Sequence, residues 1–126
     1  MDVAQLLLKA PVCGARLTRH VLVCTGASCA ERDGALTLTA FYEALAACGR
    51  LYGKRGSLQG DILVSACASV GLCGVGPAVL VYPDGIWYYG VTPQDVGEIV
   101  ERHLLGDTPV ERLIARRFPK TERQTP

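Results

Sequence analysis

Short apolar runs flank one amphipathic segment in the first half of the chain. Residues 20–24 (His-Val-Leu-Val-Cys) contain a short apolar, β-branched run, and residues 61–65 (Asp-Ile-Leu-Val-Ser) repeat this pattern, so both predict buried strands. Between them, apolar residues recur at steps of three and four, which predicts a helix. These residues are Leu38, Phe41, Tyr42, Leu45 and Cys48. The first half therefore reads strand, helix, strand.

The second half of the chain predicts a hairpin and a further helix. Residues 78–82 are apolar, residues 83–85 (Pro-Asp-Gly) have the residue types of a turn, and residues 86–89 are rich in aromatic side chains. Thr92 has the place of an N-cap, and Asp95 that of a capping-box partner, so we expect a helix to begin there. The second half therefore reads strand, strand, helix.

This order of elements predicts the fold class. Two strands joined through a helix are expected to be parallel, whereas the hairpin strands are antiparallel. The order β-α-β and then β-β-α is that of an α/β, thioredoxin-like fold. We expect a mixed four-stranded sheet with flanking helices.

Length, charge and hydropathy exclude several classes of protein. The chain has 126 residues, 49% of them hydrophobic and 20% charged, which indicates one globular domain. A net charge of +1 offers no strongly basic field, so we expect no nucleic-acid partner. No apolar run reaches the roughly 18 residues of a membrane span. Residues 1–15 lack the pattern of a signal peptide, so we expect no membrane insertion and a cytoplasmic protein.

Two pairs of thiols follow the two strands that should be parallel. Cys24 and Cys29 come after the first strand, and Cys67 and Cys73 come after the second. Both loops should leave the same end of the sheet, so the four thiols are expected to converge. Four thiolates suit a [2Fe–2S] cluster, a [4Fe–4S] cluster or structural Zn²⁺, and four metal-free thiols are the remaining interpretation. Neither pair has the Cys-x-x-Cys spacing of zinc ribbons or of thioredoxin dithiols.

The other two cysteines are interpreted as non-ligands. Cys13 lies in a stretch that Pro11 and Gly14 interrupt, and we expect it to be an unpaired thiol. Cys48 continues the apolar face of the predicted helix, and we expect it to be a buried core thiol.

Several segments carry a resemblance to a known family. Residues 76–89, 91–104 and 106–113 are the most specific of them, and the strand that ends in Cys24 fits as well. The sequence resembles the thioredoxin-like [2Fe–2S] ferredoxins, which are related to the small thioredoxin-like subunit of respiratory complex I and of NAD-linked hydrogenases. The resemblance covers about residues 19–114.

The resemblance implies a cofactor, a ligand set and an assembly. It implies a [2Fe–2S] cluster held by Cys24, Cys29, Cys67 and Cys73, low-potential one-electron transfer, and often a homodimer. We accordingly expect an electron-transfer protein rather than an enzyme, with redox proteins of unknown identity as partners.

The second thiol pair departs from the family pattern. The family has three residues between these two cysteines, whereas this chain has five, between Cys67 and Cys73. In one interpretation the loop is longer and Cys67 is still the ligand. In the other, Ser69 takes the third ligand position and Cys67 is a spare thiol.

The domain organisation follows from the extent of the resemblance. Residues 1–18 are expected to be an N-terminal extension, residues 19–114 the thioredoxin-like ferredoxin domain, and residues 115–126 a mobile C-terminal tail. Two other functions are carried as alternatives. One is a cluster-bearing subunit or assembly module of a larger oxidoreductase, and the other is a Zn-stabilised interaction domain.

Aromatic residues crowd the second hairpin strand. Alternation along a strand cannot bury Trp87, Tyr88 and Tyr89 against one core, so at least one of them should face solvent. Exposed aromatic side chains often mark interfaces, which predicts a homodimer that uses the hairpin or its neighbouring surface.

Overall fold

The structure is a computed structural model that describes residues 1–26 and 33–118, with Cys73 described in its backbone alone. Its strands are β1 (Arg19–Cys24), β2 (Ile62–Cys67), β3 (Val79–Tyr82), β4 (Ile86–Tyr88) and β5 (Ile114–Arg117). Its helices are α1 (Val3–Lys9), α2 (Gly34–Ala47) and α3 (Pro93–Glu98), which continues as a π-helical segment, Ile99–Leu104. Short 3₁₀ turns are formed by Pro11–Gly14, Cys73–Val75 and Glu111–Leu113.

The strands form one mixed sheet in the order β2-β1-β3-β4-β5. β1 and β2 are parallel, with α2 as the connection between them, and the other neighbouring pairs are antiparallel. The predicted order of elements is confirmed. Asp95 accepts hydrogen bonds from the backbone N–H and the hydroxyl of Thr92, so the predicted helix start is confirmed too.

The fifth strand was not predicted. β5 pairs with β4 at the edge of the sheet, and the Phe118 N–H donates to the Gly85 carbonyl at 2.8 Å. Residues 115–117 are therefore part of the sheet, although the sequence placed them in a mobile tail. Residues 119–126 of that predicted tail lie outside the described residues.

The core lies between one face of the sheet and the helices α2 and α3. Each of the first four strands contributes alternate residues to it, so that Val21 and Val23 of β1 are buried while Leu22 between them is only half-buried. Phe41 and Leu45 of α2 cover this face. In contrast, α1 contributes no buried residue.

Cys48 is exposed, so the prediction of a buried core thiol is wrong. The apolar periodicity points Cys48 at the core only if the helix continues. Instead α2 ends at Ala47, Cys48 is its C-cap, and Gly49 turns the chain away with φ +74. Cys13 is a free, exposed thiol, as expected.

The described helices are too short and too polar to cross a bilayer, because none of them contains a sufficiently long apolar window.

Candidate metal centre

The parallel pairing of β1 and β2 brings two of the predicted ligands together. Cys24 and Cys67 are the last residues of their strands and are direct partners in the register. Neighbouring strands lie about 4.8 Å apart, and residues at matching positions point to the same face. The two thiols are therefore side by side at the end of the sheet, where both cysteine loops begin.

The environment of these two thiols is mostly apolar. Cys24 is 1% exposed and packs against Ala78, Val70 and Leu72. Burial raises the pKa of the Cys67 thiol, and the nearby Cys24 raises it further. The backbone N–H of Ser69 opposes this rise by donating a hydrogen bond to the Cys67 sulfur. Two adjacent thiols in such a setting favour a soft cation that can compensate two thiolate charges.

Backbone hydrogen bonds fix where each thiol lies. The Thr25 N–H donates to the Cys67 carbonyl at 2.8 Å, and the Cys24 N–H donates to the Ala78 carbonyl at 3.0 Å. Sequence reasoning missed Ala78. Its small size, directly after Pro77, is the only signal that the sequence offers for a close approach of the backbone there.

Gly26 lets the two cysteine loops meet. A side-chain carbon built on Gly26 would lie 2.0 Å from the Ala68 carbonyl oxygen, which no real side chain tolerates. The first loop thus begins in direct backbone contact with the second loop. Cys24 belongs to this contact as well, because its Sγ lies 3.5 Å from the same Ala68 oxygen.

The second loop is folded onto the sheet between its two cysteines. The Ser69 hydroxyl accepts a hydrogen bond from the Gly71 N–H at 3.1 Å, which closes a tight local turn. Val70 and Leu72, on either side of Gly71, pack against Cys24 and Ala78. The five residues between the cysteines therefore form an anchored loop.

The other two predicted ligands are Cys29 and Cys73. Cys29 lies outside the described residues, and the structure describes only the backbone of Cys73, at the start of the turn Cys73–Val75. Within the described ranges no group of three or more metal-ligating side chains is found. The donor set at this edge, a pair of adjacent reduced thiols with a backbone N–H donor, nevertheless fits an iron–sulfur cluster.

Two curated ferredoxins are similar to this chain in sequence, whereas no family model matches it. A 2Fe-2S ferredoxin of Aquifex aeolicus (strain VF5) is 39% identical over 104 residues, which cover 76% of this chain and 87% of that protein. A 2Fe-2S ferredoxin of Clostridium pasteurianum is 32% identical, with 75% of this chain and 92% of that protein covered.

A solved structure extends the similarity to the fold. The thioredoxin-like [2Fe–2S] ferredoxin from Aquifex aeolicus matches with a TM-score of 0.70 and 34% identity, covering 85% of this chain and 99% of that one. The predicted thioredoxin-like fold is thereby confirmed. Sequence and structure together show that the chain belongs to the thioredoxin-like [2Fe–2S] ferredoxin family.

Proposed function

We propose that Cys24, Cys29, Cys67 and Cys73 hold the [2Fe–2S] cluster of this ferredoxin, and that it carries single electrons between redox proteins. The observation that supports this ligand set best is the register pair of Cys24 and Cys67, at the end of the sheet from which both cysteine loops leave. A [2Fe–2S] cluster supplies one-electron chemistry, and four thiolate ligands set a low potential, about −400 mV in plant-type ferredoxins.

The residues around the thiols hold and tune the site. The apolar contacts of Cys24 exclude water from one side of the pair. The Ser69 N–H places a donor on the Cys67 sulfur, and such donors stabilise negative charge on the ligands and so influence the potential. The close contact between Gly26 and the Ala68 carbonyl holds the two cysteine loops together.

Cys67, rather than Ser69, is the third ligand in this proposal. Cys67 ends β2 opposite Cys24, so the sheet itself fixes its position. The Ser69 hydroxyl instead accepts the Gly71 N–H within the loop. Thiolate is also the softer donor and matches iron–sulfur chemistry better than an alkoxide.

A pair of variants tests this assignment. Ser69→Ala should keep the electron paramagnetic resonance (EPR) spectrum of a four-cysteine [2Fe–2S] cluster, because only a turn hydrogen bond is removed. Cys67→Ala should lose the cluster or retain it weakly. A stable cluster in Cys67→Ala together with a lost one in Ser69→Ala would overturn the assignment.

The surface beside the cysteine loops suits an apolar contact with another protein. No charged residue occurs between positions 62 and 83. Val75 is 47% exposed and Tyr89 is 39% exposed, and a hydrogen bond of 2.7 Å from the Gly90 N–H to the Val75 carbonyl joins their two segments. These observations support a homodimer that forms through the hairpin surface, and redox partners that recognise the uncharged surface around Val75 and Tyr89. We place this exchange in the cytoplasm.

One observation favours the alternative role as a subunit of a larger oxidoreductase. In α1, Val3 and Leu8 are largely exposed and no residue is buried. These apolar side chains are therefore available for contact with another protein. Pull-down of the full chain from its own organism distinguishes the roles. A carrier purifies without stoichiometric companions, whereas a subunit retains the other chains of its enzyme.

A further inference from the structure

Trp87 connects the longer cysteine loop with the far edge of the sheet. Its neighbours Ile86 and Tyr88 are buried in the core, and Trp87 therefore projects from the opposite face of β4. This face is the one on which Cys24 and Cys67 lie, since both alternate with buried core residues of their strands. The indole thus shares a sheet face with the described ligand pair.

Gly71, in the loop between the cysteines, faces the outer edge of this indole. A side-chain carbon built on Gly71 would lie 3.6 Å from Cζ3 of Trp87, which is van der Waals distance. Gly71 itself has φ +91, a conformation that glycine adopts without strain. Val70 and Leu72 pack against Cys24 and Ala78, while Gly71 between them faces Trp87.

The indole is itself supported from the other side. The Arg116 guanidinium lies 5.4 Å from the centroid of the Trp87 ring, and the Phe118 ring centroid lies 6.3 Å away. These contacts come from β5 and from the residue that follows it. They hold in place the ring that Gly71 faces.

The indole nitrogen has no part in these contacts. Trp87 Nε1 is buried and has no hydrogen-bond partner in the part of the chain that the structure describes. An unsatisfied buried donor disfavours tryptophan at this position unless its second ring is needed. The edge of that second ring is the part of Trp87 that faces Gly71.

We propose that Trp87 is a positioning residue of the cluster site. Through Gly71 it supports the Cys67–Cys73 loop, which is longer than the family pattern, and so holds both cysteines of this loop at the cluster. This inference rests on the proposed ligand set, since it requires Cys67 and Cys73 to be ligands.

Trp87→Phe separates this role from a structural one. Phenylalanine keeps an aromatic side chain on β4, and no hydrogen bond is lost. It lacks the second ring of the indole, whose edge faces Gly71. The melting temperature should stay near that of the wild type. Iron release to an excess of bathophenanthroline should become about tenfold faster, the lower end of the effects known for residues that orient metal ligands. The g values of the reduced cluster should spread in EPR.

Tyr82→Phe is the matched control, because Tyr82 is an exposed aromatic residue at the end of β3 remote from the cysteine loops, so both readouts should stay unchanged. If Trp87→Phe does not fold, Trp87→Tyr takes its place in the same assay. Iron release within twofold of the wild type, with unchanged g values, would overturn the proposal. So would an equal acceleration in Tyr82→Phe. Failure of the ligand assignment would look different, because Cys67→Ala would then retain a wild-type cluster.

Discussion

His103 is a fully buried titratable side chain, and its partners determine its protonation. It is 0% exposed and lies between the Tyr88 hydroxyl, 2.7 Å from Nδ1, and Asp84, 2.8 Å from Nε2. The ionised Asp84 carboxylate, which also pairs with Arg19, can only accept a hydrogen bond, so Nε2 carries a proton and donates it there. Nδ1 of the neutral ring then accepts the Tyr88 hydroxyl, whose oxygen accepts the Val110 N–H. This arrangement suits a neutral imidazole.

The first prediction concerns pH. Burial lowers the pKa of His103 below its ordinary value of 6.5, against the opposing effect of Asp84. The unfolded chain therefore binds this proton more readily than the folded one. The contribution of neutral His103 to the free energy of unfolding is therefore fully present above about pH 6.5, and it declines as the pH falls through that value. Between about pH 7.5 and pH 5.5, the melting temperature of the wild type should fall by more than that of His103→Gln, as measured by circular dichroism.

Comparison of the two proteins removes the contributions that they share, including that of half-buried His20, whose pKa burial also lowers. Asp84 does not interfere in this range. Burial opposes its ionisation, but hydrogen bonds from Arg19 and His103 lower its pKa overall, so its contribution is lost only in more acidic solution. An equal loss of melting temperature in both proteins would show that His103 does not titrate as described.

The second prediction concerns the two thiols outside the site. Cys13 and Cys48 are exposed, so Cys13→Ser and Cys48→Ser should each change the free energy of unfolding by no more than about 0.5 kcal/mol. The visible absorption spectrum should be unchanged, because neither residue belongs to the proposed ligand set. Chemical denaturation and absorption spectroscopy check both points. A folded but colourless variant would contradict the ligand assignment.

The sequence predicted where Cys24 and Cys67 meet better than it predicted their surroundings. Cys24 and Cys67 were predictable because they follow two apolar runs that a helix connects. The contact of Gly26 with Ala68, and the position of Gly71 facing Trp87, join residues far apart in the chain and have no local pattern. The exposure of Cys48 depends on where α2 ends, and periodicity alone does not determine helix ends.

At the scale of elements, the start of α3 joins the last helix to the edge of the sheet. The Asp95 carboxylate caps the helix through Thr92 and also accepts a hydrogen bond from Arg112 at 3.1 Å. Arg112 bonds Glu98 as well, so the segment before β5 is tied to the first turns of α3. This carboxylate therefore serves two elements.

The third prediction follows from that double role. Asp95→Ala should cost about 1–2 kcal/mol of unfolding free energy, the upper part of the range for lost helix caps. Arg112→Ala should cost less, because exposed ion pairs contribute little. Urea denaturation of both variants checks the order. A larger effect for Arg112→Ala would mean that the ion pairs, and not the cap, hold this junction.

Among the elements, β5 shows where prediction from sequence fails. Its four residues, Ile114–Arg117, include two arginines and lack the alternation of a half-buried strand. They form a strand because β4 offers free backbone groups at the sheet edge, a non-local cause. The four other strands and the helices α2 and α3 were predicted, because hydrophobic periodicity and the capping residues of α3 are local.

At the scale of the whole molecule, a near-neutral surface and an exposed aromatic side chain point to association. Tyr88 is buried and Tyr89 is 39% exposed, which confirms that the hairpin aromatics cannot all be buried. With a net charge of +1, little electrostatic repulsion opposes self-association.

The fourth prediction is therefore a dimer that depends on the hairpin surface. Analytical ultracentrifugation of the wild type should give twice the mass of the chain, and Tyr89→Ser with Val75→Ser should shift the protein towards the monomer. Leu58→Ser, at an exposed apolar site outside the hairpin, is the control. A wild type that stays monomeric at high micromolar concentration would contradict the dimer.

The central claim is that this chain binds one [2Fe–2S] cluster on four cysteines. Iron and acid-labile sulfide analysis of the purified protein tests it most directly. The account predicts about two irons and two sulfides per chain. Four of each, or stoichiometric zinc without sulfide, would contradict it.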